Sequence, residues 1–315
     1  MIVDVNTRVW ESPDQLGPSL AARLRRAAEG PWELPDASVG ALTEAMEPVH
    51  YAFVMGAVSR LTGANVTTEQ VSRCVRTDAT RLLGFASVDP MGDGGAAEVD
   101  AAKSAGMAGI TVSPTNQGFH PTHSRAMRVY RRCVEAGLPV VFDLSCVAGV
   151  SVMAYGQPYL LDEVLRELPG LRVLIAGLGQ PFVDQTLVLV QKHEHAYADI
   201  AGLSLRARDL YQALASAYQG GAISKIMLGS GFPLTTPEKA IVTLYSLNTL
   251  IVGTNLPSIP REQLRSIVER DALACLGIAY PDGGVKPGQS AAARDESAKI
   301  TQTWEVAQVK ETTRP

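Results

Sequence analysis

The sequence predicts a single α/β domain, a (β/α)8 TIM barrel, and three observations carry that reading. Short apolar, β-branched runs recur along the chain with amphipathic stretches between them, the pattern of parallel strands joined by crossover helices. Val140-Val141-Phe142 and Val173-Leu174-Ile175 are apolar without alternation, as strands covered on both faces require. The 315 residues, 46% hydrophobic and 19% charged, suffice for one barrel-sized core.

Eight strands are expected, at Ile2–Val9, Tyr51–Val58, Leu82–Val88, Gly109–Ser113, Val140–Leu144, Arg172–Ala176, Ala196–Ile200 and Lys225–Gly229. Helices between them carry stop signals: Ser124–Ala136 ends at Gly137 before Pro139, and Pro158–Leu168 ends at Pro169-Gly170. Ala240–Val252 reads as a peripheral helix. Two regions break the repeat. Glu11–Gly40 holds several Pro and Gly around a basic helical stretch, Ala21–Ala28; following the first strand, it is placed as a cap over the barrel mouth. Residues 281–315 form a tail rich in Gly, Pro, Ser and Ala up to Ser290, with Thr301–Val309 as a possible arm around Trp304. The barrel itself is assigned to 1–280.

A net charge of −4 and a pI near 5.8 argue against a nucleic-acid footprint or attachment to an anionic membrane. No apolar run reaches the ~20 residues of a membrane span, and the N-terminus lacks signal-peptide features, so a cytoplasmic location is expected. Cys74, Cys133, Cys146 and Cys275 are too scattered for a disulfide framework or a CxxC clip and are read as free thiols.

Several segments closely resemble the amidohydrolase 2 family, the group that includes aminocarboxymuconate-semialdehyde decarboxylase. They are Arg81-Leu82-Leu83-Gly84-Phe85-Ala86-Ser87-Val88-Asp89-Pro90, Gln117-Gly118-Phe119, Gly137-Leu138-Pro139-Val140 and Lys225-Ile226-Met227-Leu228-Gly229-Ser230 before Phe232-Pro233. Ile267–Ile278 is similar to the family's closing helix. The resemblance runs from Met1 to about Tyr280. It implies a metal-dependent hydrolase or decarboxylase barrel, commonly dimeric, so a homodimer is the expected assembly.

At the positions where the family carries metal ligands this chain holds other residues. The resemblance implies two histidines, two residues apart after an Asp on strand one; here Asp4 is kept, and Asn6 and Arg8 stand at the histidine positions. Asp143 takes the place of the strand-five histidine, Gly177 that of the histidine after strand six, and Gly231 that of the Asp after strand eight. Thr111 stands where a lysine is often found. A divalent ion needs three or more converging donors; Asn6 is a weak ligand and Arg8 a permanent cation. No metal and no cofactor are expected. Arg8 is expected to fill the vacated volume and pair with Asp143, either to support the fold or to leave guanidinium donors for a carboxylate. Gly177 and Gly231 reflect either an enlarged pocket or drift at positions free of chemical demand.

Other chemistry-bearing residues point less sharply. His193-Glu194-His195 precedes strand seven on the face opposite the mouth and is read as a solvated loop, and His50 as structural. His120 and His123 follow strand four on the mouth side. Cys146 has no base nearby to activate it and is read as a small buried hydrophobe. Three functions remain open. The first is metal-independent binding of, or chemistry on, a small organic acid or carbonyl compound at the mouth, through Asn6, Arg8, Thr111, Ser113, His120, Asp143, Ser145, Gly177 and Gly231, with Arg8 and Asp143 as the candidate catalytic pair. The second is a divergent hydrolase or decarboxylase with a rebuilt site, and the third a pseudoenzyme subunit of an active partner.

Overall fold

The computed structural model describes residues 1–28, 33–146 and 149–285. Eight parallel strands make the barrel: β1 (Val3–Thr7), β2 (Tyr51–Met55), β5 (Leu82–Ser87), β6 (Gly109–Val112), β7 (Val140–Phe142), β8 (Val173–Ile175), β9 (Ala196–Asp199) and β10 (Ile226–Met227). They are ordered β1-β2-β5-β6-β7-β8-β9-β10. The ring closes between its ends through Val5 N–H to Leu228 O and Arg8 N–H to Phe232 O, each 3.0 Å. Each predicted strand is present. The last is much shorter than Lys225–Gly229 because Ile223–Lys225 forms a 3-10 turn and the chain leaves the ladder after Met227.

Side chains pointing into the barrel form one apolar cluster that includes Val3, Val5, Phe53, Phe85, Val141 and Leu174. The helix Ala272–Leu276 closes its bottom through Leu273 and Leu276. A second, larger cluster lies between the strands and the outer helices. Phe53 and Phe85 stack with ring centroids 4.6 Å apart. A Cβ at Gly109 would collide with the Phe85 ring, so the missing side chain at that position makes room for an aromatic inside the barrel.

Several expected elements need correction. The run Tyr51–Val58 is not one strand: β2 ends at Met55, and after Gly56 the chain makes an antiparallel hairpin, β3 (Ala57–Ser59) with β4 (Ala64–Val66). At Gly56 a Cβ would sit 3.0 Å from Val66 O and 3.1 Å from Ser87 N, and this close approach of backbones bends the chain out of the barrel. The closing helix divides into Arg261–Val268 and Ala272–Leu276, interrupted where Asp271 turns to cap the second piece at Ala274 N–H. Pro158–Leu168 is a 3-10 turn, Pro158–Leu160, followed by helix Leu161–Glu167. The stretch Ala240–Val252 is likewise a helix, Pro237–Ser246, passing into a 3-10 turn, Leu247–Ile251.

Within the segment placed as a cap, a 3-10 turn (Pro13–Leu16) and a helix (Pro18–Ala28) lie over the mouth. Gly17, at φ 89°, packs its Cα so tightly on Thr62 O of the hairpin that no side chain fits there. Residues 29–32 of this segment lie outside the described residues, as does the tail from 286 with its Thr301–Val309 arm and Trp304. On the opposite face His50 Nδ1 accepts from Ile2 N–H at 3.0 Å. His193 is not solvated: its Nε2 lies 2.8 Å from the Asp162 carboxylate and its side chain is 14% exposed.

Gly109→Ala should destabilise the barrel by about 1–3 kcal/mol, because the methyl must displace the Phe85 ring in a filled interior. A lower denaturant midpoint with an unchanged slope is the expected result.

Candidate functional site

The C-terminal strand ends bring most of the predicted site residues together. Arg8 follows β1 and Asp143 follows β7, four strands apart in an eight-strand ring and so on opposite sides of the mouth. Arg8 Nη2 reaches across and donates to Asp143 Oδ2 at 2.6 Å. Asp143 Oδ1 accepts from Ser145 N–H at 3.0 Å, and Ser113 Oγ donates to the Asp143 carbonyl at 2.7 Å. Burial pushes the Asp143 carboxyl up, but the Arg8 guanidinium and the Ser145 hydrogen bond outweigh it and hold the group below the ordinary carboxylate value. Side-chain exposure is 28% for Arg8 and 13% for Asp143, so the pair is screened yet open to the cavity on one edge. Arg8 Nε is buried without a partner.

The bridge divides the mouth into two cavities. The smaller, about 70 Å³, is lined by Ser87, Thr111, Ser113 and Asn116 with backbone from the hairpin. Its polar groups are largely spent on the protein itself: Thr111 Oγ1 donates to Gly56 O at 3.2 Å, and Asn116 Nδ2 to Ser113 Oγ at 2.8 Å. The larger, about 370 Å³, has a floor of Asn6, Gly177, Ala201 and Gly231 and an apolar roof that includes Leu16, Leu20 and Leu24 from the cap. Arg8, Asp143 and Ser145 face both. His120 stands apart from both cavities; its Nδ1 lies 2.9 Å from Thr122 Oγ1 and its ring meets Tyr155 edge-on. His123 caps the helix Ser124–Ala136 at Arg125 N–H.

Both glycines of the floor have a backbone reason. Gly177 has φ 57° and Gly231 φ 77°, and a Cβ would sit 2.9 Å from Ala201 O in the first case and 3.2 Å from Gly202 N in the second. The left-handed conformation and the close approach together favour glycine, so drift does not explain them. Gly177 N–H is thereby turned to Asp199 Oδ1 at 2.9 Å, and Gly231 N–H to Asn6 O at 2.9 Å.

Beneath the floor lie two fully buried carboxyls. Asp4 Oδ1 accepts from Asn6 N–H at 3.1 Å and Ser230 N–H at 2.9 Å, tying β1 to the loop after β10, while its Oδ2 has no partner. Burial pushes its carboxyl up to about 7 against those hydrogen bonds. Asp199, ending β9, accepts from Gly177 N–H, Ala201 N–H and Asn6 Nδ2. Burial pushes it up to about 6. No motif marks Asp199 in the sequence, and its position at a strand's C-terminal end is the one local sign of a role. Cys146 lies near the mouth with its thiol pushed up by burial and by Asp143, the opposite of an activated nucleophile.

The residues present do not fit the divalent cation that the family resemblance implies. Among the described residues no group of three or more His, Cys, Asp or Glu is placed to hold a metal ion. Asp143 is engaged by a guanidinium, Asp199 by three N–H donors, and Asn6 turns its nitrogen to Asp199. A metal beside Arg8 would set two cations a few ångströms apart, on the order of several kcal/mol of repulsion even at an effective dielectric of ~20.

The model of the amidohydrolase 2 family, described as Amidohydrolase, matches residues 3–277. A search among curated proteins finds no match. Among solved structures the chain is similar to a TIM-barrel protein from Bordetella bronchiseptica (16% identity, TM-score 0.65, 88% of this chain and 99% of that one). It is also similar to 5-carboxyvanillate decarboxylase from Sphingomonas paucimobilis (11%, 0.59, 88% and 99%). A third is a probable 2-pyrone-4,6-dicarboxylic acid hydrolase from Acinetobacter baumannii with citric acid bound (15%, 0.59, 88% and 99%). At these identities the structural likeness bears on the fold alone.

Arg8→Ala should lose about 3–5 kcal/mol by leaving Asp143 buried and unpaired, whereas the apolar double variant Arg8→Met/Asp143→Leu should recover most of that loss in chemical denaturation. Asp4 supplies a pH signature. Its folded value is raised above the unfolded 3.8, so its contribution to stability is fully present below that value and is lost as pH rises through about 7. Asp4→Asn keeps the Oδ1 acceptor and cannot ionise; its stability relative to the parent should therefore rise between pH ~5 and ~8, measured by urea unfolding across that range.

Proposed function

This chain belongs to the amidohydrolase 2 family, and from that premise we propose that it binds a small organic acid at the barrel mouth without a metal ion, with Arg8 receiving the carboxylate. One observation carries the proposal: Arg8 spends Nη2 on Asp143 and leaves Nε buried with no acceptor. The Arg8 side chain lines the cavity and is partly exposed, and its buried Nε gains an acceptor once an incoming carboxylate draws the guanidinium toward it. Asp143 keeps the guanidinium in place before the ligand arrives. The ligand's body would lie under Trp10, Leu16, Leu20, Leu24, Phe232 and Leu234, which supply apolar contact at the larger cavity. Acids named with the neighbouring structures, citric acid and carboxyvanillate, are of the same chemical class.

The test is titration calorimetry in the presence of chelator with aliphatic, hydroxy- and aryl-acids, each paired with its neutral amide. At least one acid should bind about tenfold or more tightly than its amide, and Arg8→Lys, which keeps the charge but not the fork, should weaken it by a similar factor. Equal binding of acids and amides, or binding that appears only when zinc is added, would overturn the proposal.

A further inference from the structure

Asp199 lies below the larger cavity and outside its lining, yet it governs a group in the wall. Its carboxylate accepts from Gly177 N–H at 2.9 Å and Ala201 N–H at 2.8 Å through Oδ1, and from Asn6 Nδ2 at 3.1 Å through Oδ2. All three neighbours are donors. The carboxylate fits only because residue 229 is glycine, whose Cβ would stand 2.9 Å from the Asp199 carboxyl carbon. An ionised carboxylate has no proton to give, so the Asn6 amide has one stable orientation here: nitrogen down to Asp199, Oδ1 away from it. The flipped amide would oppose two acceptors in a buried place, and an unmet pair of that kind is strongly disfavoured. Asn6 lines the cavity, and among the described residues its side chain bonds through Nδ2 to Asp199 while no donor meets Oδ1, so the wall offers an acceptor there. Arg8, two residues on and just past the end of β1, presents its side chain to the same cavity. The end of β1 and the residue just past it therefore offer the cavity a neutral acceptor and a cationic donor, on side chains whose Cα atoms stand about 7 Å apart.

Resting on the reading of the mouth as a carboxylate site, we infer that Asp199 is a positioning residue that sets the hydrogen-bond polarity of Asn6, so that the site selects acids bearing a hydrogen-bond donor beside the carboxylate. A hydroxy acid satisfies both groups of the strand, whereas the matching oxo acid sets its carbonyl oxygen against Asn6 Oδ1. Substituting Asp199 by Asn inverts the arrangement. The new Oδ1 still accepts from Gly177 and Ala201, its NH2 faces Asn6, and Asn6 must turn its own NH2 to the cavity.

The experiment compares mandelate with benzoylformate, which share a body and differ at the α-oxygen, by calorimetry on the full chain at pH 8. The parent should favour mandelate by about tenfold, the size expected of one hydrogen bond met against one opposed. D199N should reverse the preference. The exchanged pair N6D/D199N puts an acceptor back on the cavity side and should restore preference for the hydroxy acid, which a merely structural role for Asp199 would not produce. A second measurement is independent of any ligand: N6D alone, with two carboxylates facing each other, should melt well below the parent, and adding D199N should recover much of that loss. An unchanged mandelate-to-benzoylformate ratio in D199N, or no recovery in the exchanged pair, overturns the inference and leaves the carboxylate site standing. Failure of the parent to bind either acid, alongside every acid of the wider panel, overturns the site itself and the selectivity with it.

Discussion

The ion pair between Arg8 and Asp143 is the constraint on which the mouth of this barrel depends. It spans the ring from β1 to β7, divides the opening into two cavities and contributes its edges to both. A bare carboxylate or a bare guanidinium at that depth would carry a large desolvation penalty, and each group offsets the other's. The pair is not a saturated one, however, since a single close contact joins it and the buried Nε stays unmet. A structural ion pair optimised for stability alone would close both forks.

The layer below holds the pair's supports in register. Asp4 gathers the backbone of β1 and of the loop after β10, and Asp199 gathers the ends of β8 and β9 with the Asn6 side chain. Both carboxyls are raised by burial, so the floor of the cavity stores unfavourable electrostatic energy near neutral pH that apolar side chains would not. Gly177 and Gly231 turn their N–H groups into this layer, and the absent side chains leave the volume above it open. Floor and roof have different origins: the floor is strand ends, and the roof is the cap following β1, packed onto the β3–β4 hairpin through Gly17.

Much of this was legible in the residues. Parallel strands buried on both faces leave unbroken apolar runs such as Val140-Val141-Phe142, and those runs place the eight strands to within a few residues. Substitution of charged and small residues at the strand ends pointed to Arg8 and Asp143, which the fold does bring together. The hairpin after Gly56 was hidden because Ala57-Val58-Ser59 continues the composition of β2, and only the close approach of neighbouring backbones at Gly56 separates them. Asp199 was hidden for a different reason. Its role comes from three donors contributed by three strand ends, a convergence that is not a local pattern in any one of them. His120 illustrates the reverse, a reactive residue type on the mouth side of its strand that its own loop turns toward Thr122 and Tyr155.

The chemistry of the mouth turns on whether a guanidinium occupies the place a cation of another kind would take. Elemental mass spectrometry of protein purified without chelator tests this most directly. With Arg8 paired to Asp143, far less than one equivalent of zinc, manganese or iron per chain is expected. About one equivalent that survives dialysis and is released by replacing Asp143 would contradict it and restore a metal centre with a ligand set reaching beyond the residues described.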